Sequence, residues 1–198
     1  MNSEDMALIL LAAGHSRRFG DADKLLADLG GVPLGLHMAH RLSAIRWRQK
    51  VSVVASEGLQ DVLRARGFET VPPAAGAGMG DNLALAAQRV EGCAGVLVCL
   101  ADMPFVPLTH IEALLRALGA DASIAVSAAD AIKGPPVAFA AGHIRALRAI
   151  TGDEGARRIM ASATVETVSI EAAAEVLSDI DTPADLERAR GRIKQMSL

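Results

Sequence analysis

The sequence predicts an α/β protein with a mainly parallel sheet covered by helices on both faces. Short apolar runs bounded by polar residues or glycine suit strands that are buried on both faces. Segments with apolar residues at three- and four-residue spacing lie between these runs, so strands and helices alternate as βαβ units. The chain has 198 residues, 51% of them apolar, which is enough for one domain with a full core and too short for two generous ones. We therefore expect a single domain, residues 1–198.

Each strand is predicted from an apolar run that ends at a polar residue or a turn signal. In chain order the predicted strands are Met6–Leu11, Val51–Ala55, Val96–Leu100, Ser123–Val126 and Val137–Ala140. Residues 72–78, rich in proline, alanine and glycine, are predicted to form a loop and not a linker between domains.

The helices are predicted from apolar residues that recur on one face. They are Pro33–Ile45, Leu59–Arg66, Asp81–Val90, Pro107–Leu118, His143–Ile150, Glu154–Met160 and Pro183–Ile193, with the segment Val165–Ile170 between the last two. Proline suits the first turn of a helix because its missing N–H has no partner there, which favours starts at Pro107 and Pro183. Thr182 is a good N-cap for the last helix.

Composition and charge argue against several classes of protein. Twenty basic against 23 acidic residues give a formal net charge of −3, so we expect no general attraction to nucleic acid or to an anionic membrane. No apolar run approaches the roughly 20 residues of a membrane helix, and Glu4 and Asp5 make the N-terminus acidic where a secretory signal is basic. We expect a cytoplasmic protein. Cys93 and Cys99 match no zinc or disulfide pattern, and the Gly-x-Ser-x-Gly motif of serine hydrolases is absent.

The most informative segment is the loop that follows the first strand. It begins at Gly14 and carries Arg18 and Lys24, and a glycine-bounded basic loop at the carboxyl end of a strand is typical of a polyphosphate site. Five residues separate Gly14 from Gly20 and Asp21 follows, so this is not a Walker loop, and the Gly-x-Gly-x-x-Gly dinucleotide pattern is absent from this turn. A basic surface loop without a ligand is the alternative interpretation.

Residues 11–26 read Leu-Ala-Ala-Gly-x-Ser-x-Arg-Phe-Gly-x-x-x-Lys-Leu-Leu. This pattern resembles the signature of the nucleotidyltransferases that attach a nucleotide to molybdopterin. Five further short motifs fall in that family's order: Gly78–Gly80, Leu100–Pro104, Gly134–Pro136, Gly152–Arg157 and Asp179–Pro183. The resemblance implies the three-layer α/β/α, Rossmann-like fold of the NTP-transferase superfamily, with a mainly parallel sheet.

The resemblance also implies which residues meet the nucleotide. Arg18 and Lys24 match the basic positions of the signature, and together with Asp102 they are the implied catalytic residues. The implied nucleotide-binding residues are Leu11, Ala12, Ala13, Gly14, Arg18, Lys24, Gly80, Asn82 and Asp102. The cytidylyltransferase branch resembles this chain in having Leu-Ala-Ala-Gly, whereas the guanylyltransferase branch usually has Leu-Ala-Gly-Gly. Ala13 therefore favours CTP over GTP, although the family more often has serines where this chain has Asp81 and Asn82.

Asp102 is the first candidate metal ligand. It follows the strand Val96–Leu100 by two residues and so lies at the same sheet edge as the loop after the first strand. Mg²⁺ favours one or two carboxylates together with substrate phosphate oxygens, and Asp102 resembles the family's magnesium-binding residue. The alternative is a helix cap, but Asp102 lies several residues too early to cap a helix that starts near Pro107.

Asp181 is the second candidate metal ligand. It matches the place of a second ligand in related sugar-nucleotide-forming enzymes, and two carboxylates from distant parts of the chain would then hold one Mg²⁺ or Mn²⁺. Thr182 and Pro183 are explained by the start of the last helix without any ligand.

The acceptor site is implied by two segments that face the pterin in the family. The residues concerned are Gly134, Pro136, Gly155 and Arg157. Gly155 and Arg157 could hold the acceptor phosphate by close backbone approach and a bidentate guanidinium. The alternative interpretation of Gly152–Arg157 is a loop followed by a helix that an aspartate caps, without any ligand. Lys133 and Pro135 replace residues typical of the family's Gly-x-Pro loop, so the acceptor could differ from molybdopterin.

Taken together, the sequence predicts a Mg²⁺-dependent nucleotidyltransferase that moves CMP from CTP to molybdopterin and releases pyrophosphate. The product, molybdopterin cytosine dinucleotide, would serve a recipient molybdoenzyme. Alternatives are GTP as the donor, another phosphorylated acceptor, or a non-catalytic chaperone that binds the finished cofactor. The presence of Arg18, Lys24, Asp102 and Asp181 argues against the chaperone, because a pure binder has no need to neutralise charge for in-line transfer.

Overall fold

A computed structural model describes residues 2–14, 19, 23–118, 124–152, 155–161 and 166–196. The strands are β1 (Met6–Ala12), β2 (Asp28–Leu29), β3 (Val32–Pro33), β4 (Gln49–Val54), β5 (Glu69–Val71), β6 (Gly95–Leu100), β7 (Ile124–Ala129), β8 (Ile132–Ala140) and β9 (Thr167–Glu171). The α-helices are α1 (His37–Leu42), α2 (Glu57–Ala65), α3 (Met79–Ala87), α4 (Leu108–Ala117), α5 (Ile144–Leu147), α6 (Arg157–Met160), α7 (Ala174–Leu177) and α8 (Pro183–Met196).

Seven strands form one sheet in the order β5-β4-β1-β6-β8-β7-β9. Strand β1 is parallel to β4 and to β6, β5 is parallel to β4, and β9 is parallel to β7. Only β8 runs against its neighbours β6 and β7. The predicted mainly parallel α/β architecture is confirmed.

Strand β1 shows why both faces of the sheet are covered. All seven of its residues are buried, and successive side chains of a strand point to opposite faces. Leu8 and Leu10 pack into one hydrophobic cluster and Ile9 and Leu11 into a second one. A strand buried in this way is an almost unbroken apolar run in the sequence, which is how it was found.

The helix predicted at Pro33–Ile45 is shorter than expected. Pro33 is extended and belongs to the small ribbon of β2 and β3, a single 3-10 turn follows, and only His37–Leu42 is α-helical. Gly35 lies in the 3-10 turn, where an added methyl group would be 3.1 Å from the Leu25 Cβ. This 3-10 turn packs closely against the segment around Leu25, and it stands where the first turns of the predicted helix were expected.

Strands β7 and β8 form a hairpin that extends both predicted strands. Asp130 and Ala131 form its two-residue turn with φ values of 49° and 66°. A two-residue hairpin turn of type I′ requires such left-handed values at both central residues. The predicted strand Val137–Ala140 starts too late, because β8 begins at Ile132 and includes Gly134–Pro136. The register shifts there, since Val126 pairs with Val137 but Ser127 pairs with Gly134, and prolines are tolerated in a strand at such an irregularity.

A buried hydrogen-bond chain links α4 to this irregular part of the hairpin. The Ser127 hydroxyl donates to the Pro136 carbonyl at 2.7 Å and lies 2.8 Å from Nε2 of His110. Because that hydroxyl proton is committed to Pro136, Nε2 of His110 must donate to the Ser127 oxygen. Burial lowers the pKa of His110 from its ordinary value of 6.5, so this imidazole resists protonation in the folded state.

We expect this histidine to make the protein less stable in acid. The pKa of His110 is lower in the folded chain than in the unfolded chain, so below pH 6.5 the unfolded chain binds the extra proton and stability is lost as the pH falls. Urea unfolding of the wild type and of His110→Gln between neutral pH and about pH 5 measures this effect. The wild type should lose stability more steeply, and parallel curves for the two proteins would contradict the assignment.

Candidate active site

Lys24 is held in place by a short local structure. It opens a 3-10 turn, Lys24–Leu26, whose N-cap Asp23 accepts a hydrogen bond from the Leu25 N–H at 2.9 Å. The side chain of Lys24 is only 4% exposed. A buried ammonium group needs opposite charge close by, because it has lost most of its water.

Two aspartates supply that charge. Lys24 Nζ donates to Asp102 Oδ2 and to Asp181 Oδ1, both at 2.7 Å. Burial by itself lowers the pKa of Lys24, but the two carboxylates outweigh it and the pKa is raised above its ordinary 10.5. Lys24 is therefore fully charged at neutral pH. The three residues that the sequence singled out as catalytic or metal-binding, and that the structure describes, lie in one cluster.

Backbone contacts bring the two aspartates together. Asp102 follows β6, and the Ile180 N–H donates to the Asp102 carbonyl at 3.0 Å, which sets Asp181 beside it. The partly buried Arg41 guanidinium donates to the carbonyls of Pro104 at 2.7 Å and Val106 at 2.6 Å. These bonds fix the turn that follows Asp102.

The start of α8 fixes the other aspartate. The Thr182 hydroxyl accepts from the Asp185 N–H at 3.2 Å, and the Asp185 carboxylate accepts from the Thr182 N–H at 2.7 Å. This reciprocal capping is typical of a helix N-terminus and matches the predicted N-cap at Thr182. The Asp181 N–H also donates to the Asp185 carboxylate, at 3.2 Å. Asp181 is thus positioned by the cap of α8 and by the backbone hydrogen bond from Ile180 to Asp102.

The cluster has the donor atoms that a divalent cation needs. Oδ1 of Asp102 is buried and has no hydrogen-bond partner among the described residues. An unpartnered buried carboxylate oxygen is costly, and it is a hard ligand of the kind Mg²⁺ prefers. Burial, followed by the negative charges of Asp181 and Asp102, raises the pKa of the neighbouring Asp179. The contribution of these two charges indicates a negative electrostatic potential around Asp179. Within the described ranges no group of three His, Cys, Asp or Glu side chains is arranged to hold a metal ion.

The other predicted nucleotide-binding residues are placed in different ways. Leu11, Ala12 and Ala13 have buried side chains, so a ligand could meet them only through the backbone. Gly14 is exposed with open space around its Cα, and Arg18 lies outside the described residues.

Gly80 and Asn82 in α3, which were predicted to bind the nucleotide, are less accessible than expected. The Gly80 N–H is bonded to the Gly152 carbonyl at 2.7 Å, so it is not available to a phosphate. Asn82 is 5% exposed, and its Oδ1 has no hydrogen-bond partner in the part of the chain that the structure describes. This Oδ1 atom is itself buried, so a ligand could reach it only if the residues around it moved.

The predicted acceptor residues fall into two groups. Gly134 and Pro136 lie in β8, as described above. Gly155 is buried with a φ of 55°, near the Met79 side chain, and Arg157 is exposed at the start of α6. The structure thus brings Gly155, but not the hairpin residues, next to the N-terminus of α3. Sequence reasoning assigned no contact to Asp81, whose carboxylate accepts from the Gly152 N–H at 3.0 Å.

Comparison with known proteins shows the family of the chain. Residues 8–168 match the model of the MobA-like NTP transferase domain. The chain belongs to this family. The family is one of nucleotidyltransferases, and the opening signature and the end of β6 both lie within the matched residues.

Two curated relatives of this MobA-like NTP transferase align over nearly their whole length. The purine catabolism protein PucB of Bacillus subtilis is 28% identical over 96% of this chain and 98% of its own. A probable molybdenum cofactor guanylyltransferase of Natronomonas pharaonis is 31% identical over 93% of this chain and 96% of its own.

Two solved structures share the fold. A homologue of Mycobacterium tuberculosis Rv0371c from Mycobacterium sp. strain JC1 has a TM-score of 0.82 and 25% identity, covering 99% of this chain and 100% of its own. The manganese complex of Rv0371c itself has a TM-score of 0.75 and 21% identity, covering 94% and 98% of the two chains. None of the helices formed by the described residues has the length and apolar character needed to cross a membrane.

We expect Lys24 and Asp102 to depend on each other for stability. Lys24→Met leaves two facing carboxylates, and Asp102→Asn leaves the buried ammonium with one, so each should lower the free energy of unfolding by about 2 kcal/mol. The double variant should lose less than the sum, with a coupling above about 1 kcal/mol in a urea-unfolding cycle.

The exposed pair Arg64 and Asp61 on α2 is the matched control for this cycle. Its side chains are 54% and 82% exposed, and the coupling of such pairs is below about 1 kcal/mol. Additive effects of Lys24→Met and Asp102→Asn would contradict a shared buried ion pair.

Proposed function

We propose that this MobA-like NTP transferase moves CMP from CTP to the phosphate of molybdopterin and releases pyrophosphate. The observation that carries the proposal is the cluster of Lys24, Asp102 and Asp181 at the sheet edge where the opening signature ends. Support for molybdopterin as the acceptor comes from the sequence motifs and from the name of the relative in Natronomonas pharaonis. The molybdoenzyme that would receive the product is a partner of the same proposal.

In the proposed reaction a phosphate oxygen of the acceptor attacks the α-phosphorus of the triphosphate. A P–O bond forms there, and the bond from the α-phosphorus to the bridging oxygen breaks as pyrophosphate leaves in line. A phosphate monoester has a second pKa of about 6 and is already largely ionised at neutral pH, so no strong base is required. Lys24 provides a fixed charge near the reacting groups, and catalysis is mainly positioning and charge neutralisation.

Asp102 and Asp181 are the residues that would hold Mg²⁺ or Mn²⁺. Oδ2 of Asp102 is bonded to Lys24 while Oδ1 has no hydrogen-bond partner among the described residues, so Asp102 could bind a metal through one oxygen and keep Lys24 on the other. A bound divalent cation would neutralise charge on the phosphates. The carboxylates contribute by orienting Lys24 and by offering the metal a negative surface.

The choice of base is the finer part of the proposal. Ala13, whose side chain is buried in the core, is the residue that favours CTP through the Leu-Ala-Ala-Gly pattern. GTP is the second candidate donor, and the guanylyltransferase relative favours it. Asn82 does not distinguish the two donors, because its Oδ1 is buried and the exocyclic amino group that it would accept from is carried by cytosine and guanine alike.

Donor choice is tested by measuring pyrophosphate release with each of the four triphosphates, with and without molybdopterin. We expect kcat/KM for CTP to exceed that for GTP at least about tenfold, which is about 1.4 kcal/mol of discrimination. A preference for GTP would instead assign the chain to guanylyl transfer. Binding of molybdopterin without turnover of any triphosphate would favour the cofactor-binding chaperone.

Lys24 is tested by Lys24→Ala, which should lower kcat by about two orders of magnitude or more, because a preorganised charge at the transition state is worth roughly 3 kcal/mol. Lys24→Arg should not restore it fully, since a planar guanidinium replaces a compact charge. Rates are referred to the folded fraction measured by circular dichroism, since the ion pairs also contribute to stability. Lys194→Ala, at an exposed position of α8, is the control. A Lys24→Ala variant with nearly normal kcat would refute the catalytic role.

A further inference from the structure

Two segments implicated in the two substrates are in direct contact. We call residues 78–82 the nucleotide segment and residues 150–152, which lead into the acceptor motif Gly152–Arg157, the acceptor-side segment. The Gly80 N–H donates to the Gly152 carbonyl at 2.7 Å, and the Gly152 N–H donates to Oδ1 of Asp81 at 3.0 Å. These two hydrogen bonds run in opposite directions between the segments, so movement of one segment pulls on the other.

The Asp81 carboxylate holds both segments at once. Its second oxygen, Oδ2, accepts from the Gly78 N–H at 2.9 Å, at the N-terminus of α3. These two backbone donors lower the pKa of Asp81, so the side chain is a carboxylate with acceptor atoms only. One charged group therefore closes the first turn of α3 and binds the acceptor-side segment.

Gly80 shows how close the segments lie. A methyl group at this position would be 2.6 Å from the Gly152 carbonyl oxygen and 2.7 Å from Cγ2 of Ile150. Side-chain carbons do not approach other atoms so closely, so any residue except glycine would force the segments apart. The two segments are therefore packed against each other as well as joined by hydrogen bonds.

We propose that Asp81 is a positioning residue that couples nucleotide binding at the start of α3 to the position of the acceptor-side segment. The proposal rests on the proposed function, because it takes the nucleotide segment to meet the donor. A nucleotide that orders the N-terminus of α3 also orders Gly152 through the carboxylate.

The test is hydrogen–deuterium exchange of the full chain, with and without CTP and Mg²⁺ and, in a parallel arm, GTP and Mg²⁺. In the wild type, the nucleotide should slow exchange of the Gly152 amide region at least about fivefold. In Asp81→Asn the side chain presents an NH₂ donor in place of one acceptor, and this effect of the nucleotide should be lost while binding to α3 still slows exchange at residues 78–82. Asp61→Asn removes the same charge from the surface of α2 and should respond as the wild type does.

The outcomes separate the possible failures. If Asp81 only caps α3, the Asp81→Asn substitution changes the exchange rate at residues 150–152 by the same factor with and without nucleotide. That result would refute the coupling. An equal nucleotide effect in the wild type and Asp81→Asn also refutes it. If the wild type binds neither nucleotide and shows no turnover, the proposed function fails and the coupling fails with it.

Discussion

The ion pairs of Lys24 with Asp102 and Asp181 are the constraint on which the rest of this sheet edge depends. Along the chain Lys24 is 78 residues from Asp102 and 157 residues from Asp181, so one ammonium group joins three distant segments. Burying a cation costs several kcal/mol unless opposite charges replace its water. The two carboxylates do so, and they thereby hold together the turn that ends the opening signature, the end of β6 and the start of α8.

Under the proposed function, the same cluster would favour a nucleotide bound together with a metal over a free nucleotide. Among the described residues two carboxylates face one ammonium, so these three side chains together carry a net negative charge, and the raised pKa of Asp179 reflects burial and the same negative charges. A triphosphate approaching alone would be repelled by the oxygens of Asp102 and Asp181. A divalent cation would remove that repulsion and would satisfy the buried oxygen of Asp102 that has no hydrogen-bond partner among the described residues.

The fold could be predicted where structure follows from local pattern. Strands β1 and β6 are buried on both faces and are therefore nearly continuous apolar runs, and the start of α8 is determined by Thr182 and its neighbours. The prediction missed β5, because three residues at a sheet edge carry little periodicity. It started β8 too late, at Val137, because the tolerance of Pro135 and Pro136 in a strand depends on a register shift that only pairing with β7 creates.

The site could be predicted as a set of residue types but not as a set of contacts. The sequence predicts that Lys24 is a cation near phosphates, yet only the folded chain shows that it forms ion pairs with Asp102 and Asp181. Asp81 shows the same limit, because an aspartate near a helix start is explained by capping alone. Its bond to Gly152, 71 residues away, depends on the absence of a side chain at Gly80. Residues whose partners are distant in sequence therefore need the structure, and at this sheet edge those are the residues that connect the two proposed substrates.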